Sequence, residues 1–135
     1  MGESTSKIVV CIIDDDLSIQ EIYRIKFEQE GFEVIAAMDG EAGIALVRDK
    51  HPDIIFLDIQ MPVKNGLEVL EVMKADPEIS RIPVVILSNQ DDQAWFKRIG
   101  ELNATKFYLV KALTPPQKAV DIVGEVLHGS KKMRG

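Results

Sequence analysis

An open α/β sandwich, a five-stranded parallel sheet between two layers of helices, is the fold class this sequence predicts. Three observations predict it. Five short apolar runs, Ile8–Ile13, Phe32–Ala37, Ile54–Leu57, Val84–Leu87 and Phe107–Val110, recur along the chain. The segments between them carry apolar residues at helical spacing, which is the pattern of repeated βαβ units. The first, third, fourth and fifth runs give way to Asp14, Asp58, Ser88 and Lys111, as expected where strand ends open onto a ligand crevice.

Each element has its own signal. After the first run, Asp16 or Ser18 can cap a helix in which Ile19, Ile22, Tyr23 and Phe27 form an inward face, ending at Gly31. Phe32–Ala37 is the second strand. Asp39-Gly40 turns into a helix from about 41 to 49, with Ala42, Ala45 and Leu46 toward the sheet, and His51-Pro52-Asp53 interrupts it. The third run ends at Asp58. A loop through Met61-Pro62 to Gly66 then leads into a helix over 67–75, with Leu67, Leu70 and Met73 on one face and Asp76-Pro77 as its stop. Pro83 opens the fourth run, after which Ser88 to Asp92 supplies capping oxygens for a helix of Trp95, Ile99 and Leu102 that Asn103 can close. The fifth run is followed by Thr114-Pro115-Pro116, a cap-then-proline start for a last helix through Val120, Val123 and Leu127.

At 135 residues, the chain has the size of one domain, expected over 7–128, with flexible tails at 1–6 and 129–135. No internal repeat or low-complexity block suggests a second domain. Sixteen basic against 22 acidic residues give a net charge of −6, which argues against direct nucleic-acid binding or an anionic membrane surface. Cys11, alone of its type and inside the first run, reads as a small buried hydrophobe. The short polar start and the lack of a membrane-length apolar stretch indicate a cytoplasmic chain.

The chemistry follows from gathering carboxylates at one sheet edge. Their mutual repulsion disfavours the bare cluster and favours a divalent cation. An all-oxygen donor set points to Mg2+, held by Asp15, Asp58 and a carbonyl from the loop after Asp58. A Lys111 amine and a Ser88 hydroxyl complete a pocket for a phosphoryl group, and aspartate is a known phosphoryl acceptor. Taken singly, the aspartate run would be a helix cap and Lys111 or Ser88 surface decoration. Tyr108 would be an ordinary strand aromatic and Trp95 a packed helix residue. Only the joint arrangement favours function.

That arrangement, Asp14-Asp15, Asp58, Met61-Pro62, Gly66, Ser88, Tyr108 and Lys111, resembles the receiver domain of two-component response regulators over roughly 7–128. The resemblance implies a flavodoxin-like sandwich of strand order 2-1-3-4-5. It implies that Asp58 accepts a phosphoryl group from a histidine kinase or phosphotransfer protein. Mg2+ would be held by Asp15, Asp58 and the Gln60 backbone carbonyl, with Asp14 in support through water. Lys111 would pair with a phosphoryl oxygen, Ser88 and Tyr108 would be the switch residues, and the α4-β5-α5 face would change its affinity for a downstream effector outside this chain. A phosphorylation-dependent dimer is compatible with it. Such a protein is a signalling switch and not an enzyme on an external substrate. Gln60, Asn89 and Gln90 are expected to tune the phosphoryl lifetime.

The chain departs from the family pattern at three positions. Ala112 stands where a proline after a cis bond is usual, and a cis bond before alanine costs ~3 kcal/mol or more. Asn89 stands where a very small residue is common, and Asn103 replaces a frequent glycine. Two rival readings are a pseudo-receiver that binds without phosphorylation, and a haloacid-dehalogenase-type phosphatase with Asp14 as nucleophile and Asp16 as acid/base. The phosphatase reading leaves the Asp58 loop unexplained.

Overall fold

The computed structural model describes residues 7–61, 65–88, 93–102, 107–111 and 114–134, with only the backbone course of 93–96, 102, 107–108 and 129–134. The elements in order are β1 (Val9–Ile13), α1 (Leu17–Gln29), β2 (Glu33–Ala37), α2 (Gly40–Lys50) and β3 (Ile54–Asp58). Then come α3 (Gly66–Ala75), β4 (Val84–Ser88), α4 (Gln93–Leu102), β5 (Phe107–Val110) and α5 (Pro116–Arg134). The strands form one parallel sheet, as the sequence pattern predicts, ordered β2-β1-β3-β4-β5, as the receiver-domain resemblance implies.

Period-two alternation divides the core between the two faces of the sheet. Cys11, Ile13, Ile55, Leu57, Val84 and Ile86 face one way, against Ile44 and Val47 of α2, Val69, Leu70 and Met73 of α3, and Ile99 of α4. Val10, Ile12, Ile54, Phe56, Val85 and Leu87 face the other, against Tyr23 and Phe27 of α1 and Ala119, Ile122 and Val123 of α5. Phe27 is the hub of that second layer, with ring centroids 6.2 Å from Tyr23, 5.9 Å from Phe32 and 5.3 Å from Phe56.

Three packing details differ from expectation. In α1, Tyr23 and Phe27 are buried but Ile22 is 49% exposed, because a helix on a flat sheet buries a narrower stripe than its apolar residues span. In α2 the buried positions are Gly40, Gly43, Ile44 and Val47, whereas Ala42 and Ala45 are exposed and Leu46 is only partly buried. Gly43 sets that rotation. A Cβ there would meet Ile13 Cδ1 at 2.7 Å, so the missing side chain is what lets the helix lie close over β1. At the third place, Thr114 does not act as the expected cap of α5: its hydroxyl donates to the Val110 carbonyl at 2.8 Å.

The last helix continues to Arg134, through a break at His128 where the backbone (φ −126, ψ 22) leaves helical values. Residues 129–134, expected as a tail, are therefore helical beyond the break. Lys131, Lys132, Met133 and Arg134 are all good helix formers. The suggested caps of α4 at Asn89–Asp92 and Asn103, and the Lys111–Ala112 peptide bond, lie outside the described residues.

Candidate functional site

Three crossovers deliver polar residues to the carboxyl edge of the sheet. Ile13 pairs with Leu57 across β1 and β3, so Asp14 and Asp58 leave their strands at the same level. Asp58 pairs with Leu87, which places Ser88 one residue beyond it on β4, and Ser88 pairs with Val110, after which comes Lys111. Convergence follows from parallel register.

Asp14, Asp58 and Ser88 are 0%, 1% and 0% exposed, whereas Asp15 lies at the open side. Carboxylate oxygens of Asp14, Asp15 and Asp58 all fall within 4.8 Å of one another. The Lys111 ammonium sits among them, with Nζ 2.8 Å from Asp14 Oδ2 and 3.4 Å from Asp58 Oδ2. Backbone amides hold the remaining oxygens: Asp16 N–H donates to Asp14 Oδ1 at 2.9 Å, and Gln60 N–H donates to Asp58 Oδ1 at 3.2 Å.

The electrostatics follow from that crowding. Burial, and after it the Asp14 charge, pushes the Asp58 carboxyl up to about 7, against the opposing pull of Lys111 and the Gln60 amide. Burial raises Asp14 as well, more than Lys111 and the Asp16 amide lower it. For Lys111, burial alone would favour the neutral amine, but Asp14 and Asp58 outweigh it and hold the ammonium charged. Three carboxylates against one ammonium leave an excess of negative charge in a largely buried, all-oxygen cluster. That donor set fits a hard divalent cation.

The loop after β3 is packed against the acceptor strand. Gly66 N–H donates to the Ile59 carbonyl at 3.0 Å, and a Cβ at Gly66 would lie 2.5 Å from the Asp58 carbonyl oxygen and 2.7 Å from Ile59 Cα. Only glycine allows this approach. Asn65 and Glu68 form a reciprocal capping box that starts α3 immediately after it.

Not every expected residue joins the cluster. Asp16 turns away to cap α1, its Oδ1 accepting from Ser18 N–H at 2.9 Å and Ile19 N–H at 3.3 Å. That leaves the acid/base role of the phosphatase reading without a carboxylate at the site. Tyr108 occupies β5, with its side chain outside the described residues, and Asn89 and Gln90 lie outside them altogether. Gln60 is exposed, and its backbone borders Asp58.

Sequence reasoning missed Gln20 and Tyr23 as site supports. Gln20 Nε2 donates to the carbonyls of Asp14 and Ala37, both at 2.7 Å, and the buried Tyr23 hydroxyl donates to the Thr114 carbonyl at 3.0 Å. The available signal was a tyrosine on an inward helix face, whose buried hydroxyl needs a partner.

The family model of the response regulator receiver domain matches residues 10–122. The chain belongs to that family. Among its relatives, the receiver domain is 38% identical over 96 residues to the protein PilH of Pseudomonas aeruginosa, covering 67% of this chain and 78% of PilH. It is 35% identical over 108 residues to the DNA-binding response regulator MtrA of Mycobacterium tuberculosis, covering 80% of this chain but only 46% of MtrA. In fold it matches the chemotaxis protein CheY4 of Vibrio cholerae with TM-score 0.81 at 24% identity, over 90% of this chain and 99% of that one. The Mn2+-bound form of the response regulator Rcp1 matches with TM-score 0.72 at 25% identity, over 87% and 90% of the two chains. No described helix of the receiver domain is long and apolar enough to cross a membrane.

Proposed function

We propose that this receiver domain is a phosphorylation switch in which Asp58 takes a phosphoryl group from the phosphohistidine of a histidine kinase or phosphotransfer protein. The observation that carries this reading is the meeting of Asp14, Asp15 and Asp58 with the Lys111 ammonium at one strand edge.

In the proposed reaction a carboxylate oxygen of Asp58 forms a bond to phosphorus as the phosphorus–nitrogen bond of the donor breaks, and the proton needed by the departing imidazole comes from the donor side or solvent. Asp15, Asp58 and the Gln60 carbonyl would hold Mg2+, with Asp14 in support. Bound there, Mg2+ supplies neutralisation of the charge on the phosphoryl oxygens. Lys111, already charged and seated between Asp14 and Asp58, supplies a second cation to an oxygen of the incoming group. Ser88, buried one residue past the pairing partner of Asp58, would donate its hydroxyl to the phosphoryl group, a role its position on the strand edge supports.

Phosphorylation then shifts the balance between two arrangements of the α4-β5-α5 face through Ser88 and Tyr108, changing affinity for an effector outside this chain. The domain acts on its own phosphoryl group and has no turnover on an external metabolite. Gln60, Asn89 and Gln90 tune the lifetime of the phosphoryl group, and its place of action is the cytoplasm.

The test is peptide mass spectrometry after incubation with Mg2+ and acetyl phosphate. A phosphoryl group on Asp58, absent from Asp58→Asn, is expected. Labelling at Asp14, or none at any residue with either acetyl phosphate or a kinase donor, overturns the reading.

A further inference from the structure

Two polar residues one turn apart on α1 reach opposite halves of the site. Gln20 ties the acid-bearing loop after β1 to the end of β2 through the Asp14 and Ala37 carbonyls. Tyr23 reaches the other half. Its hydroxyl, buried beneath the sheet edge, donates to the carbonyl of Thr114 at 3.0 Å. Thr114 is itself locked onto the end of β5, because its hydroxyl donates to the Val110 carbonyl at 2.8 Å and its amide donates to the Lys111 carbonyl at 3.2 Å. Thr114 is thus hydrogen-bonded to both Val110 and Lys111. Tyr23 fastens Thr114 to α1, and Lys111, whose carbonyl Thr114 holds, reaches Asp14 and Asp58.

We infer that Tyr23 is a positioning residue for Lys111, and that α1 sets the lysine and the acids through two separate tethers. The inference rests on the proposed phosphoryl chemistry of the same site. A long lysine side chain amplifies small rotations at its Cα, so a loosened backbone moves Nζ away from both carboxylates.

Geometry separates this from simple core filling. The Tyr23 ring packs against Phe27, and a phenylalanine would keep that contact while losing only the hydroxyl. The Thr114 carbonyl would then lose its donor, and Thr114 its link to α1. The acids keep theirs through Gln20. Lysine placement and cation binding should therefore respond to different substitutions.

The experiment compares wild type with Tyr23→Phe, Thr114→Val, their double variant and Gln20→Ala, each checked for folding by circular dichroism. Acetylation of Lys111 without metal is measured by quantitative mass spectrometry against the exposed Lys118. The Mg2+ dissociation constant and the rate of Asp58 labelling by acetyl phosphate at saturating Mg2+ are measured in parallel. For Tyr23→Phe and Thr114→Val the expected result is Lys111 acetylation faster by about fivefold or more and labelling slower by about tenfold, with the Mg2+ constant within about twofold of wild type. The double variant should match the singles, since both break one chain of contacts. Gln20→Ala should weaken Mg2+ and leave Lys111 acetylation unchanged.

Lys111 acetylation at the wild-type rate in the folded variants would overturn the inference, as would loss of Mg2+ affinity in step with labelling. If Tyr23→Phe fails to fold, Thr114→Val decides alone. A wild type that takes no label defeats the functional reading, and the acetylation rates still decide whether Tyr23 positions Lys111.

Discussion

Asp58 carries the sharpest consequence of the site's crowding. Its native pKa of about 7 lies above the ordinary value of 3.8, so without a divalent cation the folded state binds this proton more tightly than the unfolded state. Stability should therefore rise as pH falls from about 7 toward about 4, opposite in sign to a salt-bridged carboxylate. Asp58→Asn removes the charge and the slope together. In urea titrations with a chelator, that variant should exceed wild type by roughly 1–3 kcal/mol at pH 8, and the gap should narrow below pH 7 and close only near pH 4. A cation reverses the preference. Mg2+ needs the ionised carboxylate, so its apparent affinity should fall as pH drops below about 7, by up to tenfold per pH unit, when followed by calorimetry.

At the scale of elements, the decisive residues are those where one backbone approaches another. Gly66→Ala would place a methyl group against the Asp58 carbonyl and Ile59 Cα, neither of which can rotate away. A loss of about 2–3 kcal/mol in thermal or urea unfolding is expected, together with weaker Mg2+ binding as the β3–α3 loop shifts. Ile22→Ser is the contrasting case. Although apolar and at helical spacing, Ile22 is half exposed on α1, and its replacement should change stability by no more than about 0.5 kcal/mol. Helix faces were the part of the fold that the sequence rendered least well. In α2 the apolar letters Ala42, Ala45 and Leu46 suggested one face, but Gly43, which has no side chain to score, decided which face could approach Ile13. The tethers from Gln20 and Tyr23 were hidden for a related reason. They join α1 to the carbonyls of Ala37 and Thr114 on other elements, and no local pattern encodes which helix turn stands below which loop.

For the whole molecule, the meeting of Asp14, Asp15, Asp58 and Lys111 was legible because it rests on a rule that acts through the sheet, whereas the strand order was legible only through the receiver-domain resemblance. Apolar runs set the strands, parallel register aligns their ends, and the polar residue after each run must then stand at one edge. The two core layers bind that arrangement together. Phe27→Ala, at the hub of four aromatic rings, should cost about 3–5 kcal/mol and lower the denaturant midpoint. A cation that binds only the assembled edge adds stability by mass action. At a free concentration a hundredfold above its dissociation constant, Mg2+ should add about 2.7 kcal/mol, readable as a higher Tm that Asp58→Asn reduces.

The central place of β1, flanked by β2 and β3, also has a meaning in time. Residues 9–58 hold three adjacent strands and all three acids, whereas Lys111 comes later in the chain. At typical rates of synthesis, about fifty residues separate Asp58 from Lys111, a delay of several seconds. A nascent chain that pairs β2, β1 and β3 in this interval assembles the acid trio before its own lysine has been made. During those seconds the trio's negative charge has no lysine of its own to answer it, so a divalent cation that fits the cluster would bind earlier in assembly than Lys111 can.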